Sequence, residues 1–251
     1  MKKLIPILLI LSFIALSALA DPFVLVDDLA ESIVEPYDEV DPSMGTFCYS
    51  YRYPHIDESD EEGDGINEFY DYLVNNELDM YIQQDHDAFE GYDSSTEITY
   101  EITCNNDEYF SVLIRTEKSN PDQHLVYWTA NVFLRNDPNP GYTNNLPQYL
   151  GLLNAFETDE WLQGRQTGKA DDQIRKMVWE IIEENEAGIA YSADFTEESL
   201  SRVFFPEEDF YLDENGSPVF FLQPSDVYDT VPEDADLIRF PISREDILDE
   251  L

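Results

Sequence analysis

Glu97-Ile98-Thr99-Tyr100-Glu101-Ile102-Thr103-Cys104 places polar residues at odd positions and apolar ones at even positions. Successive side chains of a strand point to opposite faces, so this stretch reads as a half-buried strand with one face on a core. Asn105-Asn106-Asp107 is a turn, and residues 109–115 form the returning strand of a hairpin. A third strand over residues 125–134 ends at the breaker cluster Asn136-Asp137-Pro138-Asn139-Pro140-Gly141. Three successive strands that share one polar face imply an antiparallel sheet covered on one side only.

The flanking segments supply the cover. Upstream, residues 46–53 alternate with Phe47, Tyr49, Tyr51 and Tyr53 on one face and stop at Pro54. An acidic loop over residues 57–64 then opens a helix from about residue 66, where Ile66, Phe69, Tyr70, Leu73, Val74, Tyr81 and Ile82 recur at helical spacing. Downstream come an apolar run at 146–153 and a helix over 171–186, with Ile174, Met177, Val178, Ile181 and Ile182 as its buried stripe. Thr196 caps a short helix, two strands flank the hairpin turn Asn215-Gly216, and residues 237–242 form a last strand. Ser243 with Asp246 then starts a closing helix. Strands and helices arrive in groups, so the expected class is α+β, an antiparallel sheet with helices packed on one face.

The first twenty residues read as a signal peptide. Lys2 and Lys3 form a charged n-region, residues 4–20 carry no charge, and Ala18-Leu19-Ala20 has the small-x-small ending of a cleavage site. Seventeen residues broken by Pro6 are short for a span that takes roughly 20. The expected organisation is a signal peptide at 1–20, an arm at 21–45 and one α+β domain at 46–251. The expected compartment is extracytoplasmic, secreted or periplasmic, with no transmembrane segment after cleavage.

Lys2 and Lys3 lie in the leader, so the mature chain keeps all 55 acidic residues against 11 Lys and Arg, a formal charge of −44. A field of that size repels nucleic acid and anionic membranes and speeds encounter with cationic partners. Adaptation to a salty habitat would give the same composition. Disorder is argued against by 43% hydrophobic content, with 16 Tyr, 15 Phe and 3 Trp to build a core.

Cys48 and Cys104 are the two cysteines. An even pair in an oxidising compartment suggests one disulfide. Register argues the other way, since Cys48 opposes the aromatic face of its strand while Cys104 shares the apolar face of Ile98, Tyr100 and Ile102. Compartment is given the greater weight, and a Cys48–Cys104 bridge is the expectation.

The run from Phe210-Tyr211-Leu212-Asp213-Glu214-Asn215-Gly216 through Val219-Phe220-Phe221-Leu222-Gln223-Pro224, followed by Ile238-Arg239-Phe240-Pro241-Ile242, resembles a family of extracytoplasmic domains of unknown function. These are the lysozyme-binding ectodomain of RsiV-type anti-sigma factors and the N-terminal domain of some peptidoglycan deacetylases, which carry a similar hairpin and a short strand before a terminal helix. Tyr53-Pro54-His55-Ile56 and Ile66-Asn67-Glu68-Phe69 agree more loosely. The family's Gly-Gly-Ala-His segment is replaced by Gln123-His124-Leu125-Val126, and with three residues before the apolar leader no anti-sigma region is expected. The resemblance implies an α+β fold with an antiparallel sheet and a binding role toward a lysozyme-like protein.

No motif names a reaction. Asp60-Glu61-Glu62-Gly63-Asp64-Gly65 has the acid spacing of a calcium loop, but Ile66 comes one residue early and Asp71 stands where a bidentate Glu is needed, so a solvated charge run is favoured. Asp85-His86-Asp87 cannot all face one ion from a regular helix or strand. Pairs such as Glu207-Glu208 are uninformative among 55 carboxylates. No catalytic residue, metal or cofactor is expected. The sequence points to a non-catalytic acidic binding domain for a cationic protein or peptide or a cell-wall-associated partner, with a cell-wall or glycan hydrolase as the alternative.

Overall fold

A computed structural model describes residues 22–26, 28–38, 41–60, 62–89, 91–135, 160–185, 188–232 and 235–249. The expected signal peptide at 1–20 and the apolar run at 146–153 lie outside the described residues. Five strands form one sheet in chain order: β1 (Leu29–Pro36), β2 (Thr46–Tyr53), β3 (Ser94–Asn105), β4 (Tyr109–Asn120) and β5 (Gln123–Leu134). Neighbouring strands pair antiparallel except β2 and β3, which run parallel. A parallel pair needs a crossover. It is supplied by helix α1 (Asp64–Tyr72), a wider π turn at Leu73–Glu77, and helix α2 (Leu78–Phe89). The grouped strands of the sequence therefore conceal one β–α–β unit, and β1 lies within the stretch read as an arm.

The second sheet holds β6 (Phe210–Leu212), β7 (Pro218–Leu222) and β8 (Ile238–Pro241). Around it lie helices α3 (Glu160–Glu184), α4 (Glu197–Val203), α5 (Pro224–Val227) and α6 (Arg244–Asp249). Thr196 caps α4 as read from the sequence, its side chain accepting from the Ser199 amide. Gly216 has φ +77° in the β6–β7 turn, a left-handed conformation that glycine adopts without strain.

Three apolar layers order these pieces. Phe47, Tyr49, Tyr51, Tyr53, Ile66, Tyr70, Leu78 and Phe110 fill the space between the large sheet and α1–α2. Leu113, Trp128 and Ala130 on the other face of β4–β5 meet Tyr211, Val219 and Phe221 of the small sheet. The small sheet's far face, with Phe210, Leu212, Phe220 and Leu222, packs on Ile174, Val178 and Ile182 of α3 and Leu200 of α4. The architecture is thus helix, sheet, sheet, helix. The α+β class holds, with helices on one face of each sheet, but the large sheet is covered on both sides and not on one, since the small sheet packs on the face away from α1 and α2.

The expected disulfide is absent: Cys48 and Cys104 are free thiols. Facing is not the obstacle. The ladder between β3 and β4 slips between Ile102 and Cys104, which turns Cys104 from the face of Ile102 to that of its partner Ser111, the side on which Cys48 also points. Distance forbids the bond. Cys48 aligns with Ser95, and nine further residues along β3 carry Cys104 on the order of 30 Å away, against a Cα separation of roughly 7 Å at most for a bridge.

Candidate functional site

The solvent face of α1, the π turn and α2 combines charge with exposed apolar surface. Residues 64–89 contain seven acids (Asp64, Glu68, Asp71, Glu77, Asp79, Asp85 and Asp87) and no Lys or Arg. Among the described residues, only Asp85 of these meets a Lys or Arg. It points inward, with Lys118 Nζ 2.6 Å from its Oδ1 and the Thr96 hydroxyl donating to Oδ2 at 2.9 Å. His86 lies half-buried against Tyr37 and Phe47, and Asp87 points out. The Asp85-His86-Asp87 triplet is split three ways, as helical geometry requires.

The π turn explains why aromatic side chains remain on this surface. An inserted residue delays the helical phase by one position. The stripe that begins at Ile66 and Tyr70 therefore resumes at Leu78 and Ile82 instead of at Glu77 and Tyr81. Tyr81, expected in the buried stripe, is turned out to 40% exposure, beside Met80 at 51% and Tyr72 at 59%. Two asparagines stabilise the turn: Asn75 donates its side-chain amide to the Asp71 carbonyl at 2.7 Å and Asn76 donates to that of Tyr72 at 3.0 Å. Nothing in the periodicity announces the insertion, although the pair Asn75-Asn76 in mid-helix is its trace in the sequence.

The acidic loop before α1 is held by a protein cation. Arg135, at the end of β5, lies with Nε 3.2 Å from Glu62 Oε2 and Nη2 3.8 Å from Asp60 Oδ2, and its guanidinium covers the Phe23 ring at 3.8 Å. Two of the acids in calcium-loop spacing thus face an arginine. Among the described residues, no group of three His, Cys, Asp or Glu is placed to hold a metal.

Beside the helical face, the edge strand β1 adds further charge. Tyr51 on β2 donates its hydroxyl to Glu31 Oε2 at 3.2 Å. Burial, and then the negative charges of Glu31 and Asp79, raise the Tyr51 phenol above its ordinary range, so Glu31 of β1 and Asp79 of α2 act on one group. Further along, burial pushes the Asp28 carboxyl up, but hydrogen bonds from Tyr100 and Arg52 outweigh it and hold the group low.

Elsewhere burial raises three carboxyls, Asp171, Asp209 and Asp226. Asp171 of α3 is pushed up to about 6 by burial and by the charge of Glu207, with Arg175 opposing. Asp209 is pushed up to about 7 by burial, although it accepts the Phe205 amide at 2.7 Å. That amide bond closes the turn before β6, a structural task. Clefts also occur among the described residues. One of about 280 Å³ is lined by Ile181, Glu184, Tyr191, Arg239 and Phe240, and one of about 160 Å³ by His124, Trp128 and Pro224. Both fall below the roughly 300–1,000 Å³ of small-molecule sites.

No protein-family model matches the chain. No curated protein matches it either. A crystal structure of a DUF3298 family member from Bacteroides fragilis aligns with 90% of this chain and 93% of its own, at 12% identity and a TM-score of 0.50. A DUF3298 family protein from Pseudomonas aeruginosa covers 91% of this chain and 94% of its own, at 12% identity and a TM-score of 0.48. At such identity the likeness concerns the chain path: in fold, the protein is similar to a solved DUF3298 family member.

Proposed function

We propose that this is an exported, non-catalytic domain that captures a cationic protein or peptide, with the outer face of α1 and α2 as the contact surface. The observation that carries the reading is the cation-free helical layer, whose exposed Tyr72, Met80 and Tyr81 sit among outward-facing carboxylates. Carboxylates accelerate encounter with a basic partner, and aromatic side chains with few rotamers supply contact area once it arrives. The leader with its Ala-Leu-Ala ending supports export. The C-terminal resemblance to the lysozyme-binding ectodomain of RsiV-type anti-sigma factors favours a lysozyme-like protein among basic partners. The test is a pull-down and titration of the mature chain with lysozyme and an equally basic control protein at two salt concentrations. Lysozyme should bind in preference to the control and keep measurable affinity in high salt. Equal binding of both, with full release in salt, would leave only a sticky surface.

A further inference from the structure

The two outer edges of the large sheet are treated differently. On β5, the side-chain amide of Gln223 imitates a neighbouring strand, accepting from the Trp128 amide at 3.0 Å and donating to the Trp128 carbonyl at 2.7 Å. On β1, the ladder to β2 runs through eight residues without a slip, and among the described residues the other side of the strand pairs with nothing. Natural edges are commonly blunted by a short strand, a bulge, a lysine or a proline. β1 is long and unbulged, its proline comes only at the end, and no Lys or Arg occurs between Asp21 and Tyr51. Val34 is 68% exposed on one face of the strand. Glu31, Ile33 and Glu35 occupy the other, the face that borders α2.

We propose that β1 is an open docking edge that takes an extended basic segment of the partner by strand addition. Charge selects that occupant. A second copy of this chain would bring Glu31 and Glu35 against the same residues and add two chains of formal charge −42. A strand carrying Lys or Arg at two positions four residues apart, with an apolar residue midway, instead sets cations opposite Glu31 and Glu35 and an apolar side chain opposite Ile33. The cation opposite Glu31 also enters the field of Asp79, which reaches Tyr51 together with Glu31. Backbone hydrogen bonds would supply affinity and the alternate side chains specificity. The inference rests on the reading of the domain as a binder of cationic partners and specifies how part of that partner is held.

The test uses the mature chain and a capped peptide, Thr-Lys-Thr-Val-Thr-Lys-Thr, beside the same peptide with every internal amide N-methylated. The two have equal charge, but the second lacks backbone donors. Strand addition predicts at least tenfold tighter binding of the unmethylated peptide, with amide chemical-shift changes along residues 29–36. The double substitution Glu31→Lys with Glu35→Lys should weaken that peptide at least tenfold and favour its Glu-for-Lys counterpart. Equal binding of the two Lys peptides, or shifts confined to α1 and α2, would overturn strand addition while leaving the helical contact surface standing. Failure of lysozyme and every basic peptide to bind would sink both readings.

Discussion

Lys118 Nζ lies 2.6 Å from Asp85 Oδ1, so the acidic helix α2 is fastened to the sheet by a lysine from β4. Asp85 is only 7% exposed, and a carboxylate so placed is costly once its partner is removed. Lys118→Met should destabilise the chain by about 3 kcal/mol, while adding Asp85→Asn should recover most of the loss. Urea unfolding midpoints at constant slope check both values. Equal stability of wild type and Lys118→Met would remove this anchor from the account.

The thiols should behave as two separate free cysteines. Alkylation under denaturing, non-reducing conditions should add two labels to the chain. In the native state Cys48 should react first, because burial, and then the charge of Asp213, push the Cys104 thiol up to about 11. Cys48→Ser should be neutral within roughly 0.5 kcal/mol and Cys104→Ser should cost about 1 kcal/mol or more. An intact mass two protons short, restored by reduction, would contradict the separation of the two strands' cysteines.

Legibility of the fold in the sequence varies along the chain. The β3–β4 hairpin, β5 and the β6–β7 hairpin at Asn215-Gly216 were legible, because period-two alternation and turn chemistry are local. The parallel pairing of β2 with β3 was not, since it depends on where a 26-residue helical crossover returns the chain. The bulge at Thr103 was equally hidden: alternation runs unbroken through Cys104, and only the partner strand reveals the slip. The same holds for the candidate site. Its acids were visible, but the exposure of Tyr81 follows from the π turn and the closed edge of β5 from Gln223, 95 residues away.

A raised carboxyl pKa fixes the sign of one pH effect. Burial pushes the Asp209 carboxyl up to about 7 in the folded chain from an ordinary value of 3.8, so between those values the folded state holds a proton that the unfolded state has released. Its contribution is greatest below the unfolded pKa and is lost as pH rises through about 7. Asp209→Asn, which keeps an acceptor for the Phe205 amide, should stabilise the chain at pH 8 by on the order of 2 kcal/mol and leave it nearly unchanged at pH 4. Thermal unfolding of both proteins across that range measures the difference. A constant offset at all pH values would show that Asp209 ionises normally.

Net charge should make stability depend on salt. Carboxylates repelling one another across a chain of formal charge −42 are screened over about 8 Å at physiological ionic strength. The melting temperature should therefore rise with sodium chloride from dilute to molar concentration. A flat response would mean that the field is balanced locally, leaving little to steer a partner.

Capture of a cationic partner should depend on one face of this acidic protein, and not on its charge as a whole. The most direct measurement compares lysozyme affinity for two charge-matched variants at fixed ionic strength. One removes two carboxylates from the helical face (Asp71→Asn with Asp79→Asn), and the other removes two exposed carboxylates elsewhere (Glu183→Gln with Glu214→Gln). The account predicts a loss of about tenfold for the first, deepened by Tyr72→Ala, and less than about twofold for the second. Equal losses in the two variants would contradict it.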